Sequence, residues 1–484
     1  MKCKISRIKV NMKRTITPKY TKLWDDFHSE FTDSPKLQFE PESGNEHENS
    51  FLVGHTFKAT ALVEVILQEY CSIRYVQGCF YYYTACGVYK TVDDIELGKF
   101  IRKQLGSKAR ARYIDETIKL LKYTDTINDD FRSPNGLINL RNGMLEIKTK
   151  ELLNHDPKYN SRFQLPYSYQ PEAKCPSWKR FLSQIFVDDK MKILTLKMWC
   201  GYCLTHETFL QVFMIFMGSG GNGKSVVISV LTGLVGQENI CALSPHQMEK
   251  DFMLITLKDK LINLCSEINT SKQFNSDTIK RLTGEDPITV DVKYKDPITF
   301  RPTAKHIFSM NEIPKFKDKT EALRRRLVLL NFNQSFKGEN QNKNLAKELL
   351  AELPGILNWA LEGWESLQKS QQLYESPSSL KAKDKLSEAL NPALSFIRNA
   401  CHLSYGCKTK RSTLHNEYEH WHRNNIGEHP LSKPSFFERI RDDFPSIGDI
   451  RIRGVDYFKG VKVLHPKSII LKFKHGGNRG SHDE

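Results

Sequence analysis

Three observations predict an α/β protein built around a parallel sheet. Apolar runs of strand length recur at residues 210–217, 261–265, 307–310 and 327–330, without the alternation of a half-exposed strand. That is the pattern of strands covered on both faces. The first run leads through a glycine-rich turn into an almost wholly apolar helical stretch at 226–234, the strand–turn–helix unit of such a sheet. Flanking regions differ in character, and at about 150 residues per domain a chain of 484 residues has room for roughly three domains.

Residues 1–55 read as a mobile arm. The first 22 residues carry eight Lys/Arg and no acid, and 23–50 carry one Lys (Lys36) against eight acids. No apolar segment follows the basic head, so it is no secretory signal. The head could touch nucleic acid or be a solvated tail. Residues 56–175 read as a small α+β domain. Helical spacing runs over 56–70, and strands are expected at 79–83 and 87–89. Asp93 or Asp94 caps a helix through Leu105, and LINLRNGMLEI at 137–147 makes two strands about an Asn-Gly turn.

Residues 176–370 hold the sheet. Pro176-Ser177 opens a helix whose Trp178, Phe181, Leu182, Ile185 and Phe186 share one face, and a second helix spans 189–204. Residues 371–484 follow with helices at 412–422 and 432–443 and strands over 450–464, the helix–helix–hairpin order of a winged-helix module. This last segment has 19 Lys/Arg and 13 Asp/Glu, a net of +6.

The turn after the first strand carries the chemistry. Gly218, Ser219, Gly220, Gly221, Asn222, Gly223, Lys224 and Ser225 fit G-x-x-x-x-G-K-[ST] in full, after a buried strand and opening a helix. Glycines let backbone N–H groups turn inward around phosphate oxygens, and the helix N-terminus adds its positive dipole. Lys224 is expected to neutralise β- and γ-phosphates of ATP and Ser225 to ligate Mg²⁺. A chance glycine loop is the competing reading, disfavoured by the context.

Other groups of such a site belong at the carboxyl ends of neighbouring strands. Glu267 ends one run and could hold Mg²⁺ through water and activate the attacking water. A helix cap or surface acid is its bland alternative. Asn311 ends the next run, where an amide can bond a γ-phosphate. Arg324, Arg325 and Arg326 precede the last strand. One of them could reach a neighbouring subunit's nucleotide, or the run could simply be solvated.

The pieces, taken in order, resemble the superfamily-three AAA+ helicases, in particular the poxvirus-type and phage/plasmid primase-helicase branch. Leu140-Arg-Asn-Gly143-Met-Leu-Glu resembles its N-terminal signature. Cys175-Pro176 and Gly201-Tyr-Cys-Leu-Thr205 resemble its helical lead-in, and GSGGNGKS its Walker A loop. Residues 260–267 resemble Walker B, with Ser-Glu in place of two acids. Leu282-Thr-Gly-Glu-Asp-Pro-Ile with Lys293-Tyr-Lys295 resembles the B′ motif and pore hairpin. Met310-Asn311-Glu-Ile-Pro314 resembles motif C, and Arg325-Arg326 the arginine-finger segment. The resemblance covers residues 56–332 and, weakly, the tail.

It implies an AAA+ motor in a homo-hexameric ring, with Mg-ATP at subunit interfaces and movement on single-stranded DNA. It also implies a role in replicating a phage, plasmid or genomic island, in a bacterial or host cytoplasm. Only some 55 residues precede the first domain, from which no primase domain and no primer synthesis are expected; a separate primase or other replisome proteins would be partners.

The net charge of +16 agrees with an anionic partner. Lys293 and Lys295 flank Tyr294 at a hairpin tip, with Asp286-Pro287 and Asp296-Pro297 marking turns. In a central pore, as the resemblance implies, such lysines would grip phosphates and the ring stack on a base, the alternative being a hairpin solvated at the surface. In the tail, Lys433, Arg439 and Arg441 on the second helix and Arg451, Arg453, Lys459 and Lys462 on the wing are candidates for duplex DNA. A protein-docking face is the alternative.

No apolar run reaches the roughly 18 residues a membrane span needs. Eleven scattered cysteines fit reduced thiols. Cys200-Gly-Tyr-Cys203 imitates a redox motif, but both thiols fall inside a helical pattern. Tyr81 to Tyr83 could stack bases or pack a core. Two further functions stay open: an initiator that uses ATP only to assemble on an origin, and a P-loop small-molecule kinase.

Overall fold

The computed structural model describes residues 52–464 apart from 54–55, 70–71, 77, 124–130, 132, 267, 269–275, 294, 312–320, 337–341, 343 and 428. The N-terminal arm, Glu267 and Tyr294 therefore lie outside the described residues. The contacts divide the chain into two units. The first takes its described residues from Met1–Asn269, Asp277–Glu312 and Val328–Ser376, the second from Thr270–Ser276, Ile313–Leu327 and Pro377–Glu484.

A five-stranded parallel sheet forms the centre of the first unit. Its strands are β1 (Phe213–Met217), β2 (Ile240–Cys241), β3 (Ile262–Cys265), β4 (Lys305–Met310) and β5 (Leu327–Asn331), in the order β2-β3-β4-β1-β5. The loop-bearing strand β1 thus lies between strands that are not its sequence neighbours. β1 starts three residues later than the apolar run. Gln211 adopts φ +52°, a left-handed turn that a strand cannot contain.

Helices α1 (Pro176–Phe186), α2 (Lys190–Cys203), α3 (Lys224–Val235) and α4 (Leu353–Ser370) belong to the same unit. All five apolar residues expected on one face of α1 are buried. The Glu352 carboxylate accepts from the Ser177 and Trp178 backbone N–H groups at 3.0 Å each, filling two of the N-terminal donors of α1. α2 and α4 pack backbone to backbone. A Cβ on Gly201 would stand 2.6 Å from the Trp364 nitrogen, and one on Gly363 would run into the Lys197 carbonyl.

Before residue 175 the expected strand Cys79–Tyr83 is present, but the strand expected at 87–89 begins only at Tyr89 and runs to Val92. The helix expected from residue 56 spans Ala59–Glu69, with Thr56–Phe57 in a strand. Asp93 caps the helix Asp94–Leu105 by accepting from the Glu96 N–H at 2.7 Å. The hairpin Leu137–Leu140/Gly143–Glu146 pairs Leu140 with Gly143, so Arg141-Asn142 is the turn and Gly143 opens the second strand. Ile138, Leu140, Leu145 and Phe163 share one hydrophobic core with the central sheet and α1–α4, whereas Leu62 to Leu121 form a separate core. Tyr81 is buried against Phe131, so it packs rather than presenting a free ring.

Cys200 and Cys203 lie inside α2, and burial pushes the Cys203 thiol up to about 12 and Cys200 well above its ordinary value. Neither can supply the thiolate a redox motif needs.

Lys305 opens β4 fully inside the protein. Its ammonium donates to the Thr205 carbonyl and lies 4.8 Å from the Tyr202 ring centroid. Burial pushes its pKa down to about 7. The unfolded chain keeps that proton to about 10.4, so between those values the unfolded state binds more protons and stability rises with pH. The midpoint of denaturation is expected to climb from pH 7 to pH 10 more steeply than in Lys305→Met. Parallel pH profiles for the two proteins would refute this.

The second unit holds α5 (Pro392–Ala400), β6 (Cys401–Lys410), α6 (Arg411–Asn425), α7 (Lys433–Asp443), β7 (Gly448–Ile452) and β8 (Val455–Val463). The strands form an antiparallel sheet in the order β6-β8-β7. Arg453-Gly454 make the tight turn between β7 and β8, both at positive φ (+46° and +80°), as a two-residue hairpin of matching twist requires. β6 escapes a reading by alternation because four of its residues, 404–407, stand opposite the single Gly460. No described helix is long and apolar enough to cross a membrane.

Candidate functional site

The glycine-rich turn leaves β1 at Gly218, whose N–H donates to the Met310 carbonyl at 3.3 Å. Gly220, Gly221 and Gly223 take φ of +96°, +63° and +88°. Gly223 is also sterically closed: a Cβ there would lie 2.8 Å from Ile185 of α1. The lead-in helix thus forms the floor of the turn. Asn222 is buried and pins the loop to the strand beyond it, its Nδ2 donating to the Phe332 carbonyl at 3.1 Å. The Phe336 N–H donates to the Gly221 carbonyl at 2.7 Å.

α3 begins at Lys224, two residues before the apolar run, and no side chain caps it. Its first N–H groups and the positive end of its dipole therefore face the turn.

Lys224 is 6 % exposed. Its Nζ donates to the Gly218 carbonyl, to Asn222 Oδ1 at 3.2 Å and to Asn311 Oδ1 at 3.5 Å. All three acceptors are neutral. Burial lowers its pKa, with no charged neighbour among the causes. A cation withdrawn from water without a counter-charge among the described residues is attractive to an anion. Ser225 is exposed beside it.

Strand register brings the predicted partners to the same edge. Met310 is opposite Met217, and Cys265 opposite Phe308, so Asn311, Gly218 and Ser266 all follow the carboxyl ends of adjacent strands. This edge, where β1 sits between β4 and β5, is where open parallel sheets bind ligands. Glu267 is outside the described residues.

Arg324, Arg325 and Arg326 end the short helix Glu321–Arg326, in the second unit. Arg324 is held by Asp384 at 2.7 Å. Arg325 is exposed, and burial next to Arg325 lowers the pKa of Arg326.

The hairpin expected around Lys293 is present, Ile288–Val292 pairing with Lys295–Phe300. Val292 opposes Lys295, leaving a two-residue connection that begins at exposed Lys293; Tyr294 and the Lys295 side chain lie outside the described residues. One expectation needs correction. Asp296-Pro297 is within the second strand and marks no turn. In a two-stranded hairpin each strand keeps one unpaired edge, where a missing N–H costs nothing.

Sequence reasoning missed Phe252. This ring is 42 % exposed, and the Lys293 ammonium lies 5.0 Å from its centroid. Its only signal was a large aromatic in the polar stretch Lys250-Asp251.

In the tail, Lys433 and Arg453 are exposed, but Arg441 and Arg451 are already engaged. Arg441 pairs with Asp449 at 2.8 Å and Arg451 with Asp456 at 3.8 Å. Arg411, at the start of α6, bonds Asp449 at 2.5 Å. Arg439 is half-buried on α7.

The molecule is thus an α/β protein whose parallel sheet carries an anion-attracting turn at its switch point. Two family models match parts of the chain: "D5 N terminal like" over residues 63–187, and a family of unknown function, DUF5906, over residues 216–326. A protein of Acanthamoeba polyphaga mimivirus named "Putative helicase L207/L206" is 27 % identical over 270 residues. That match takes in 53 % of this chain, which spans 28 % of the relative's length.

Among solved structures, the A form apo structure of the NrS-1 C-terminal region is similar, at 13 % identity and TM-score 0.49. It covers 82 % of this chain and 98 % of the other. A further apo structure of that region, residues 305–718, gives 13 % identity and TM-score 0.45, covering 83 % and 98 %.

Proposed function

We propose that this chain is an ATP-driven DNA helicase of a viral or other mobile-element replication system. The buried Lys224 ammonium, held by three neutral oxygens at an uncapped helix N-terminus, carries the reading. A triphosphate supplies the negative charge that no described residue brings to Lys224. The loop amides of residues 218–225 cradle its phosphates, and Lys224 bridges the β- and γ-positions. The Ser225 hydroxyl and Glu267 are the groups that would hold Mg²⁺, which when bound offsets charge on the phosphates. Glu267 orients the attacking water and Asn311 contacts the γ-phosphate. Exposed Arg325, or Arg326, completes the site of a neighbouring subunit in a hexameric ring. The mimivirus relative's name and the "D5 N terminal like" match support a replication helicase.

Lys293, with Phe252 beside it, grips single-stranded DNA together with Tyr294 and Lys295. The helix–strand–helix–helix–hairpin order of the second unit supports a winged-helix module for duplex DNA. The deciding experiment is the ATPase rate with and without single-stranded DNA, with size measured in parallel. Stimulation and a ring-sized assembly are expected. Lys293→Ala is expected to lose most of the stimulation, about tenfold at one lost phosphate and ring contact, while the basal rate stays. No stimulation in the parent protein would remove the motor reading. A strand-displacement assay separates it from an initiator that only assembles with ATP.

A further inference from the structure

The sheet of the second unit sorts its charges by face. β8 pairs His402 with Lys462, Lys408 with Lys459, and Lys410 with Tyr457. Leu403 and Thr409 oppose Val461 and Phe458, which are buried in the core. The residues facing away from that core are therefore His402, Lys408, Lys410, Lys459 and Lys462, all exposed, together with Tyr457. The sheet's carboxylates are on the other face: Asp449 opposes Phe458 and Asp456 opposes Arg451. Both are taken up by Arg411, Arg441 and Arg451.

Among the described residues no carboxylate pairs with the four outer lysines. Lys408 and Lys459 stand directly opposite each other, an arrangement that costs stability.

At the centre of this face the chain bulges. Residues 404–407 stand opposite Gly460 alone, and Tyr405 projects from the bulge 85 % exposed. One side of its ring meets the Lys459 ammonium, 4.3 Å from the centroid. Gly460 takes φ +95°, and a Cβ there would come within 2.9 Å of the Ser446 carbonyl, so the bulge geometry is built in.

We propose that this outer sheet face binds single-stranded nucleic acid, with a base stacked on Tyr405 and phosphates on Lys408, Lys410, Lys459 and Lys462. Lysines alone would suit any polyanion. An exposed aromatic set among them on a sheet is the combination that stacks unpaired bases while holding their backbone. A duplex has no unstacked base to offer the ring. This surface shares no residue with the nucleotide site, and its test needs no nucleotide.

The test is photocrosslinking of the full chain, without ATP, to a short oligodeoxythymidylate carrying one 5-iododeoxyuridine, with the crosslinked peptide mapped by mass spectrometry. A matched ribo-oligonucleotide and a duplex run alongside. Crosslinking at Tyr405 is expected with the single strands and not with the duplex. It should fall at least tenfold in Lys408→Glu/Lys459→Glu. Tyr405→Ala should weaken oligonucleotide binding about tenfold at this surface, with Tyr405→Trp restoring it. Comparison of the two single strands tells DNA from RNA. Crosslinks that map only elsewhere, equal crosslinking by duplex, or loss to an acidic polypeptide competitor at oligonucleotide-like concentrations would overturn the proposal. A motor without ATPase activity could still pass this test, and an active one could fail it.

Discussion

Replacing Lys224 with alanine is expected to abolish nucleotide hydrolysis and unwinding while the protein stays folded. The wild-type ammonium has lost most of its water and, among the described residues, bonds the Gly218, Asn222 and Asn311 oxygens. Such a group is poorly stabilised until an anion arrives, so the phosphates of the proposed nucleotide would receive its attraction. Removing one preorganised donor from developing charge costs about 10²–10³ in rate. A lysine that also anchors the ground state should lie at the upper end, with kcat down about a thousandfold. Removing a partly desolvated charge does not unfold the chain, so the thermal midpoint should hold or rise. Duplex binding by the second unit should survive. Steady-state hydrolysis and thermal denaturation check both halves. Hydrolysis within tenfold of the parent would contradict the assignment.

The second large effect concerns the fold. Gly363→Ala in α4 is expected to destabilise the protein by about 2 kcal/mol, within the range for overpacking a close contact. At an open helix position the same change stabilises by up to about 1 kcal/mol, so the sign alone is decisive. The new Cβ would meet the Lys197 carbonyl, and Lys197 Cγ at 2.9 Å. Because the obstacle is backbone of α2, no rotamer change relieves it. Urea denaturation measures the difference, and a stabilised variant would show that the helices are not in contact there.

Much of the candidate site was legible because its signals are local. Six of the eight loop positions are fixed by the turn's own demands: three glycines at positive φ, a lysine and a hydroxyl at a helix start, and an amide that reaches back to the strand. The buried face of α1 follows from spacing in the same way, whereas the hairpin at Lys293 was expected from the family resemblance and from two turn marks, one of which, Asp296-Pro297, is inside a strand. Phe252 was not legible, since its meaning depends on a ring from one segment meeting an ammonium from another. The tail arginines carry the reverse lesson. By composition Arg441 and Arg451 look like free contacts, yet Asp449 and Asp456 hold them. Sequence counts charges but cannot pair them across a sheet.

By itself, then, the sequence determined the parallel α/β class, the loop that opens α3, the order of the motifs and the basic bias of the tail. Each depends on periodicity or on residues within a few positions of one another. Tertiary structure alone decided that β1 lies between β4 and β5, which aligns Gly218 and Asn311 at one edge. It also decided that α2 and α4 touch through glycine, and that Lys408, Lys410, Lys459 and Lys462 share one sheet face with Tyr405 against Lys459. These depend on which strands pair and in what register, set by long-range packing that no local pattern encodes.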